Sequence, residues 1–350
     1  MSTTTPPPPT WPVRKYSPRH PSWPYTPQDF TRQDPSSDSS FYSSPRFVTH
    51  IDDAAIASLK EYYAHVLPPQ PQHCHQAGNG PPAPEEKQQQ KKYRILDLCS
   101  SWTSHFPSHV VDAVGKGEVE VWGLGMNARE LERNPLFHHP RDGEGRRRRL
   151  WGVWDLNAER EEAGAADVGV ALGSTILSGR KGEGEAEMGE RQQQQQQQTP
   201  NHTPTSTTTD EPPFLLDATT CVVSTDYLVH PLPVFTSLHR LTKPGGSVHL
   251  TISNRCFPTK AVARWLQVDE EERLQMVGDY LFFAGWKRIE IVELSDGRVR
   301  RGGVGEGEGE GDQQGGAGAE DGGLGAFMRA LGMDAAGRRD PLWVVRGVKE

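Results

Sequence analysis

Polar side chains follow five predicted strands at the point where each strand ends. In an open parallel sheet, ligands bind at the carboxyl ends of the strands, where the strand order reverses. Polar residues are common in any turn from a strand to a helix, so the interpretation depends on all five turns being polar. A ligand site is predicted at this edge of the sheet, formed by residues 97–101, 125–127, 155–157, 224–227 and 253–255.

The four cysteines and the histidines indicate neither a disulfide framework nor a metal site. The cysteines lie far apart and form no CxxC pair, which is typical of a reducing compartment. His73, Cys74 and His75 are adjacent, but no second ligand cluster follows at the spacing of a zinc finger. We therefore predict no bound metal.

The elements that must position the polar turns alternate between strands and helices. Apolar residues at Ile56, Leu59, Tyr63 and Val66 predict a helix that begins near Asp52 and ends before Pro68. This helix either covers the cleft as a lid or packs against the flank of the sheet. Further helices are predicted at 231–241, 259–266 and 269–284, with a turn at 243–246. The predicted strands are 93–98, 118–123, 150–154, 219–224, 247–253, 289–294 and 342–348.

This alternation predicts an α/β fold: a Rossmann-like, seven-stranded, mostly parallel sheet with helices on both faces and disordered insertions. Composition indicates where the fold is interrupted by disordered segments, because the chain holds 36 Gly and 29 Pro and has a polyglutamine run at 192–198. We predict a disordered segment at 1–40, a first part of the domain at 41–157 with a loop at 68–92, and a disordered insertion at 158–212. A second part follows at 213–294, then a Gly/Glu-rich linker at 295–339 and the last strand at 340–350.

Charge and hydropathy exclude two classes of partner. The formal net charge is -8 with a pI near 5.9, which argues against nucleic-acid binding. No apolar run reaches the roughly 20 residues that span a bilayer, so no membrane association is predicted. The N-terminus has no signal-peptide core, and we expect a cytoplasmic protein, with import into an organelle left open. The oligomeric state is not indicated.

The ordered series of motifs resembles the class I S-adenosylmethionine-dependent methyltransferases, and most closely their type 11 subgroup. Parts of the chain also resemble an uncharacterised methyltransferase-like family. The resemblance covers about 23–160, 213–294 and 340–348. The motifs are ILDL at 95–98, VWGLG at 121–125, WD at 154–155, LDA at 216–218 and LTKPGG at 241–246.

The resemblance implies S-adenosyl-L-methionine as the cofactor and assigns residues to it. Asp97 and the turn Cys99, Ser100 and Ser101 would face its methionine end. Gly125 and Asn127 lie where the family binds the ribose, and Asp155 with Leu156 would bind the adenine. Ser224 would line the cleft beside the sulfonium group.

Two positions depart from the family pattern. The usual glycine-rich turn after the first strand is Cys99-Ser100-Ser101, and the usual ribose-binding acid at the end of the second strand is Gly125. Glycine permits close approach of the backbone to a ligand, which small side chains replace only in part.

The resemblance implies a methyltransferase, and we predict a small-molecule acceptor because no separate acceptor-binding domain is visible. An oxygen acceptor would need a general base. The candidates are His50, His105, Asp226 and Tyr227. His50 can instead be a surface or helix-capping histidine, and Tyr227 can be a packed core ring. His105 is expected on the first helix after the turn, where it can also have a structural role only. The alternative is a binding or scaffold protein that keeps the fold without the activity. A nicotinamide-dependent oxidoreductase is disfavoured because the first turn lacks a G-x-G-x-x-G sequence.

Overall fold

Eight strands form one sheet in the computed structural model of the chain, which describes residues 11–69, 92–138, 148–158, 167–180, 215–297 and 340–350. Each interior strand is rich in apolar and β-branched residues, as expected for strands that are covered on both faces. The strands are β1 Val13–Lys15, β2 Tyr93–Leu98, β3 Val119–Gly125, β4 Trp151–Val153, β5 Leu216–Val222, β6 Thr242–Ser253, β7 Lys287–Ser295 and β8 Leu342–Val348.

The strand order across the sheet is β1-β7-β8-β6-β5-β2-β3-β4. Strands β2 to β6 are parallel, whereas β8 lies antiparallel between β6 and β7, and β1 pairs antiparallel with β7. The order reverses at β2, which has β3 on one side and β5 on the other. The predicted Rossmann-like α/β sheet is confirmed, with β1 as an eighth strand that the sequence did not predict.

Helices cover both faces of the sheet. Asp52 caps α2 by accepting the Ala55 N–H at 2.8 Å, and Asp269 caps α8 by accepting the Glu272 N–H at 2.9 Å. The predicted helix at 259–266 is shorter and begins later, at Ala263, because Val262 pairs with Arg32 in an isolated bridge and donates its N–H to the Asp226 carbonyl at 2.9 Å. The helices are α1 Asp38–Phe41, α2 Asp53–Val66, α3 Ser108–Gly115, α4 Ala128–Arg133, α5 Val168–Arg180, α6 Pro231–Leu241, α7 Ala263–Gln267 and α8 Glu270–Phe283.

Two apolar cores hold the layers together. On one face α2, α3 and α4 bury Leu59, Val110 and Leu131 against the sheet. On the other, α6 and α8 bury residues such as Leu238 and Leu281. Of the two roles proposed for the helix from Asp52, the structure shows packing on the flank: Tyr62 and Tyr63 are fully buried beside His249 and Thr251 of β6.

The N-terminal segment corrects the prediction of disorder at 1–40 over its described part, 11–40. Tyr16, Trp23, Tyr25 and Phe30 pack against the core face that α8 helps to form. The Tyr16 and Tyr25 hydroxyls both donate to the buried carboxylate of Asp279 on α8. Proline content suggested an unpacked chain, but aromatic rings spaced between the prolines bury enough apolar surface to fix it.

The predicted insertion at 158–212 is also corrected in part, because α5 lies inside it. Val168, Ala171 and Leu172 are buried in the same core as α6. The Val168 N–H donates to the Ser237 hydroxyl at 3.0 Å, which fixes the start of the helix to α6. The polyglutamine run, the loop at 70–91 and the linker at 298–339 lie outside the described residues.

The predicted turn at 243–246 is an irregular bulge within β6. Leu216 pairs with Thr242 and Ala218 pairs with Ser247, so four residues of β6 lie opposite one residue of β5. Gly245 has φ +79°, and its N–H donates to the Lys349 carbonyl at 2.7 Å. Among the helices of the described residues, none is long and apolar enough to cross a membrane.

Candidate ligand site at the switch point of the sheet

A cavity of about 740 Å³ lies at the carboxyl ends of β2, β3, β4 and β5, where the strand order reverses. Its size falls within the range of about 300–1,000 Å³ that is usual for cofactor and ligand pockets. Of the predicted cofactor residues, all nine line it: Asp97, Cys99, Ser100, Ser101, Gly125, Asn127, Asp155, Leu156 and Ser224.

Asp97 near the end of β2 is a buried carboxyl, 3% exposed, in the wall of the cavity. Its Oδ1 accepts the Thr220 hydroxyl from the neighbouring strand β5 at 3.0 Å. Burial raises the pKa of Asp97 to about 7, and hydrogen bonds from Ser104 and Thr220 offset part of this rise. A cationic ligand beside Asp97 would favour the ionised carboxylate.

The turn after β2 presents backbone in an unusual conformation. Cys99 has φ +53°, a left-handed value that costs a non-glycine residue about 1 kcal/mol or more. Ser100 is held against β3, because its N–H donates to the Leu124 carbonyl at 2.8 Å. Val223 at the end of β5 also has a positive φ, 42°. Strain at two adjacent strand ends is typical of a binding site.

Gly125 at the end of β3 has a packing reason to lack a side chain. A Cβ at this position would lie 2.1 Å from the Ser100 carbonyl oxygen. The β2 turn crosses the end of β3 so closely that an acid at 125, expected from the family pattern, has no room. The change from the pattern is therefore coupled to the Cys-Ser-Ser turn beside it.

Asn127 lines the cavity, but its amide is already satisfied within the protein. Its Oδ1 accepts the Arg129 and Glu130 N–H groups and so caps α4. Its Nδ2 donates to the carbonyls of Tyr42 and Ser43 at 2.8 and 3.2 Å. In this conformation Asn127 has no donor left for a ribose hydroxyl, which differs from the role that the resemblance implies.

Glu130 on α4 supplies a carboxylate that the sequence reasoning missed. It lines the cavity and accepts the Ser101 hydroxyl at 2.6 Å and the Arg46 N–H at 2.6 Å. It stands in the first turn of a helix capped by Asn127, where an acid stabilises the helix dipole. The sequence shows an acid three residues after a possible N-cap asparagine, but this spacing is equally consistent with a solvent-exposed glutamate.

The end of β4 is fixed by side-chain hydrogen bonds. The Asp155 carboxylate accepts the Asn157 N–H at 2.9 Å. Asn157 in turn donates to Asp38 at 2.8 Å and to the Tyr227 carbonyl at 2.9 Å, which joins the ends of β4 and β5 to α1. Leu156 is buried between these polar residues.

Three of the four predicted general bases line the cavity: His50, His105 and Tyr227. Burial lowers the pKa of His50 and lowers that of His105 to about 4, so both rings are neutral near pH 7. His105 lies in the loop before α3, not on the helix where it was placed, and has φ +53°. The Tyr227 hydroxyl oxygen accepts the Phe257 N–H at 2.8 Å.

Asp226, the fourth candidate, does not line the cavity. It is 3% exposed, its Oδ2 has no hydrogen-bond partner, and burial raises its pKa to about 8. Because a general base must reach the reacting proton, this position does not support the prediction. Ser224, beside it, donates its hydroxyl to the Val222 carbonyl at 2.9 Å.

Residues 38–53 form one wall of the cavity, and most of them were not predicted. Asp38 is buried and pairs with Arg32 at 2.7 Å, while the fully buried Lys260 donates to the Ser36 carbonyl at 2.6 Å. Arg46 also lines the cavity from this wall. Within the described residues, no group of three or more His, Cys, Asp or Glu side chains is arranged to hold a metal ion.

The sequence matches no protein-family model, and no curated protein is significantly similar to it. Solved structures of methyltransferases are similar at low identity. The Haemonchus contortus phosphoethanolamine N-methyltransferase 2, in complex with S-adenosyl-L-methionine, is 11% identical with a TM-score of 0.34, over 74% of this chain and 49% of that chain. An Archaeoglobus fulgidus SAM-dependent methyltransferase is 9% identical with a TM-score of 0.35, over 74% and 87%.

A third similar structure is a Thermotoga maritima SAM-dependent methyltransferase, described as a possible histamine N-methyltransferase, at 13% identity and a TM-score of 0.31 over 73% and 82%. This chain spans about half the length of the Haemonchus contortus enzyme. The fold is assigned from the strand order and the register of the sheet, independently of these similarities.

Proposed function

We propose that this chain binds S-adenosyl-L-methionine in the cavity at the ends of β2 to β5 and transfers its methyl group to a small molecule. The observation that carries the proposal is the cavity itself, which lies at the switch point of the sheet and is lined by the residues that the motif series assigns to the cofactor. When bound, the cofactor supplies an activated methyl group on a sulfonium sulfur.

The residues present fit a cationic cofactor. Asp97, Glu130 and Asp155 place three carboxylates on the lining, which suits the sulfonium and ammonium charges of the ligand. Asp97 and the turn 99–101 would hold the methionine end. Glu130 would take the role of the missing ribose acid, and Asp155 with Leu156 would hold the adenine.

The protein's part in transfer is to bind the acceptor in line with the methyl group and to take up a proton where the acceptor has one to lose. His50 is the better base of the two cavity histidines. Burial lowers the pKa of both, but that of His105 falls to about 4, where the ring accepts a proton poorly.

A second candidate function, a binding or scaffold protein without the cofactor, is favoured by one observation. The Tyr42 and Ser43 carbonyls accept both hydrogen bonds that the Asn127 amide can donate, next to the place where the family binds ribose. If these hydrogen bonds do not break when ligand is added, the cavity serves another ligand.

Calorimetric titration of the full chain with S-adenosylmethionine and S-adenosylhomocysteine separates the two. We expect saturable binding to wild type, and binding weakened at least about tenfold by Asp97→Ala, because a hydrogen bond to a charged group contributes about 1.5–3 kcal/mol. The matched control is Glu132→Gln, an exposed acid on α4. Absence of binding to well-folded wild type at millimolar ligand would exclude the methyltransferase and leave the scaffold.

A further inference from the structure

The guanidinium group of Arg46 is held by two aromatic rings, one of which, Phe257, also lines the cavity. Its carbon Cζ lies 4.4 Å from the centroid of the Phe41 ring and 5.0 Å from that of Phe257. The Arg46 backbone N–H donates to Glu130 at 2.6 Å, which fixes the main chain as well. Both ends of the residue are therefore positioned before any ligand binds.

The hydrogen bonds of this guanidinium are incomplete. Nη2 donates to the Phe41 carbonyl at a long 3.3 Å, and Nη1 is buried without any partner. A buried donor that is left unpaired costs about 1–3 kcal/mol, and more when the group is charged. Such an atom in a cavity wall calls for an explanation.

Three other cations near the site, one fully buried and two partly buried, each have a carboxylate partner. Arg32 pairs with Asp38 at 2.7 Å, Arg255 pairs with Asp340 at 2.7 Å, and the fully buried Lys260 lies 3.1 Å from Asp34. Across the part of the chain that the structure describes, no carboxylate forms an ion pair with the guanidinium of Arg46. Since buried charges are normally paired, the missing partner is best supplied by a ligand.

We propose that Arg46 binds the carboxylate of the methyl acceptor, so that the acceptor is a small organic acid. This inference rests on the proposed function and adds the substrate class to it. The planar fork of a guanidinium matches a carboxylate through two parallel hydrogen bonds. Arg46 is one unpaired cation in a lining that also holds several carboxylates. This balance suits a ligand group with one negative charge better than a phosphate group, which carries about two.

The wall around Arg46 supports this assignment. His50 lies four residues further along the same segment, and its ring meets that of Phe257 edge-on, 5.7 Å between centroids. Tyr227 packs obliquely against the same Phe257 ring, at 6.1 Å. An acid bound by Arg46 would therefore lie against aromatic surface, within the same wall as the candidate base.

The test uses the full chain saturated with S-adenosylhomocysteine and three probes: benzoate, benzamide and inorganic phosphate. We expect wild type to bind benzoate saturably and benzamide at least about tenfold more weakly, because only the former carries the charge. Arg46→Gln and Arg46→Lys should each weaken benzoate binding about tenfold or more, since one loses the charge and the other the fork. The control is Arg19→Gln, an exposed arginine paired with Glu272 on α8.

Two further readouts keep the outcomes distinct. Binding of S-adenosylhomocysteine, measured alone, should be unchanged in both Arg46 variants. If wild type does not bind it, the proposed function fails, and the benzoate titrations on the chain alone still test Arg46. If Arg46→Gln lowers the Tm of the protein, the test rests on Arg46→Lys, because lysine keeps the positive charge and the aliphatic part of the side chain. Equal affinity for benzoate and benzamide, unchanged binding in Arg46→Lys, or a preference for phosphate would overturn the proposal.

Discussion

Replacing Asp97 by asparagine should stabilise the protein at neutral pH while it weakens cofactor binding. The carboxyl group is buried with a pKa of about 7, against an ordinary value of 3.8. Between these two values the folded chain holds a proton that the unfolded chain has lost. The free energy of unfolding therefore falls as pH rises through this window and is constant above it.

The size of the effect follows from the pKa values. One pH unit inside the window is equivalent to about 1.4 kcal/mol, so the whole shift corresponds to an upper value of about 4 kcal/mol. From pH 5 to pH 7 the contribution of Asp97 is about 2–3 kcal/mol, or very roughly 5–10 °C in Tm for a domain of this size. The amide of the Asp97→Asn variant would keep an oxygen that accepts the Thr220 hydroxyl, so little is lost in exchange.

The assay is urea unfolding of wild type, Asp97→Asn and the exposed control Glu132→Gln at several pH values between 5 and 8. Asp226, whose pKa burial raises to about 8, adds a slope of the same sign that all three proteins share. We expect a shallower fall in stability for Asp97→Asn than for the other two. Equal slopes in all three proteins would refute the reasoning about the buried carboxyl.

Three further predictions concern stability and are all checked by urea unfolding. Gly125→Ala should lower the free energy of unfolding by about 3 kcal/mol, because its Cβ would lie 2.1 Å from the Ser100 carbonyl oxygen. Its control, Gly115→Ala, places a Cβ with nothing within 4 Å and should raise the free energy of unfolding by about 0.5–1 kcal/mol. Equal effects of the two substitutions would contradict the close approach at Gly125. Lys260→Met should cost about 3 kcal/mol by weakening the charge balance around the buried Asp38, and a neutral result would show that the pairing is dispensable. Trp23→Ala should cost about 2 kcal/mol, because the ring packs with the core on α8; no loss would mean that the N-terminal segment is not part of the fold.

The core of the fold was predictable because its signals are local. Apolar runs ending in polar turns placed β2, β3 and β5 to within three residues at their ends, and alternation with helices then fixed the α/β class. The sequence predicted β8 as the last strand, but not its place between β6 and β7. The bulge in β6 was not, because four extra residues opposite one depend on the pairing of two distant strands.

The site was predictable only where it lies on strand ends. Asp97 lies near the end of β2 and Asp155 follows β4, so both were found from their position at strand ends. Glu130 and Arg46 were missed, because one looks like an ordinary helix acid and the other lies in a Ser/Pro-rich segment that resembles a linker. Asn127 was found, yet its role was not: its amide is satisfied by residues 42–43, which lie more than eighty positions earlier.

A crystal structure of the chain grown with S-adenosylhomocysteine tests the central claim most directly. We predict the ligand in the cavity, with its methionine end against Asp97 and the turn 99–101, and its adenine beside Asp155 and Leu156. Glu130 should contact the ribose. Whether or not the Asn127 amide keeps its hydrogen bonds to the Tyr42 and Ser43 carbonyls, the cavity should stay open to the ligand. A cavity without ligand at saturating concentration, or ligand bound elsewhere on the chain, would contradict the proposed methyltransferase.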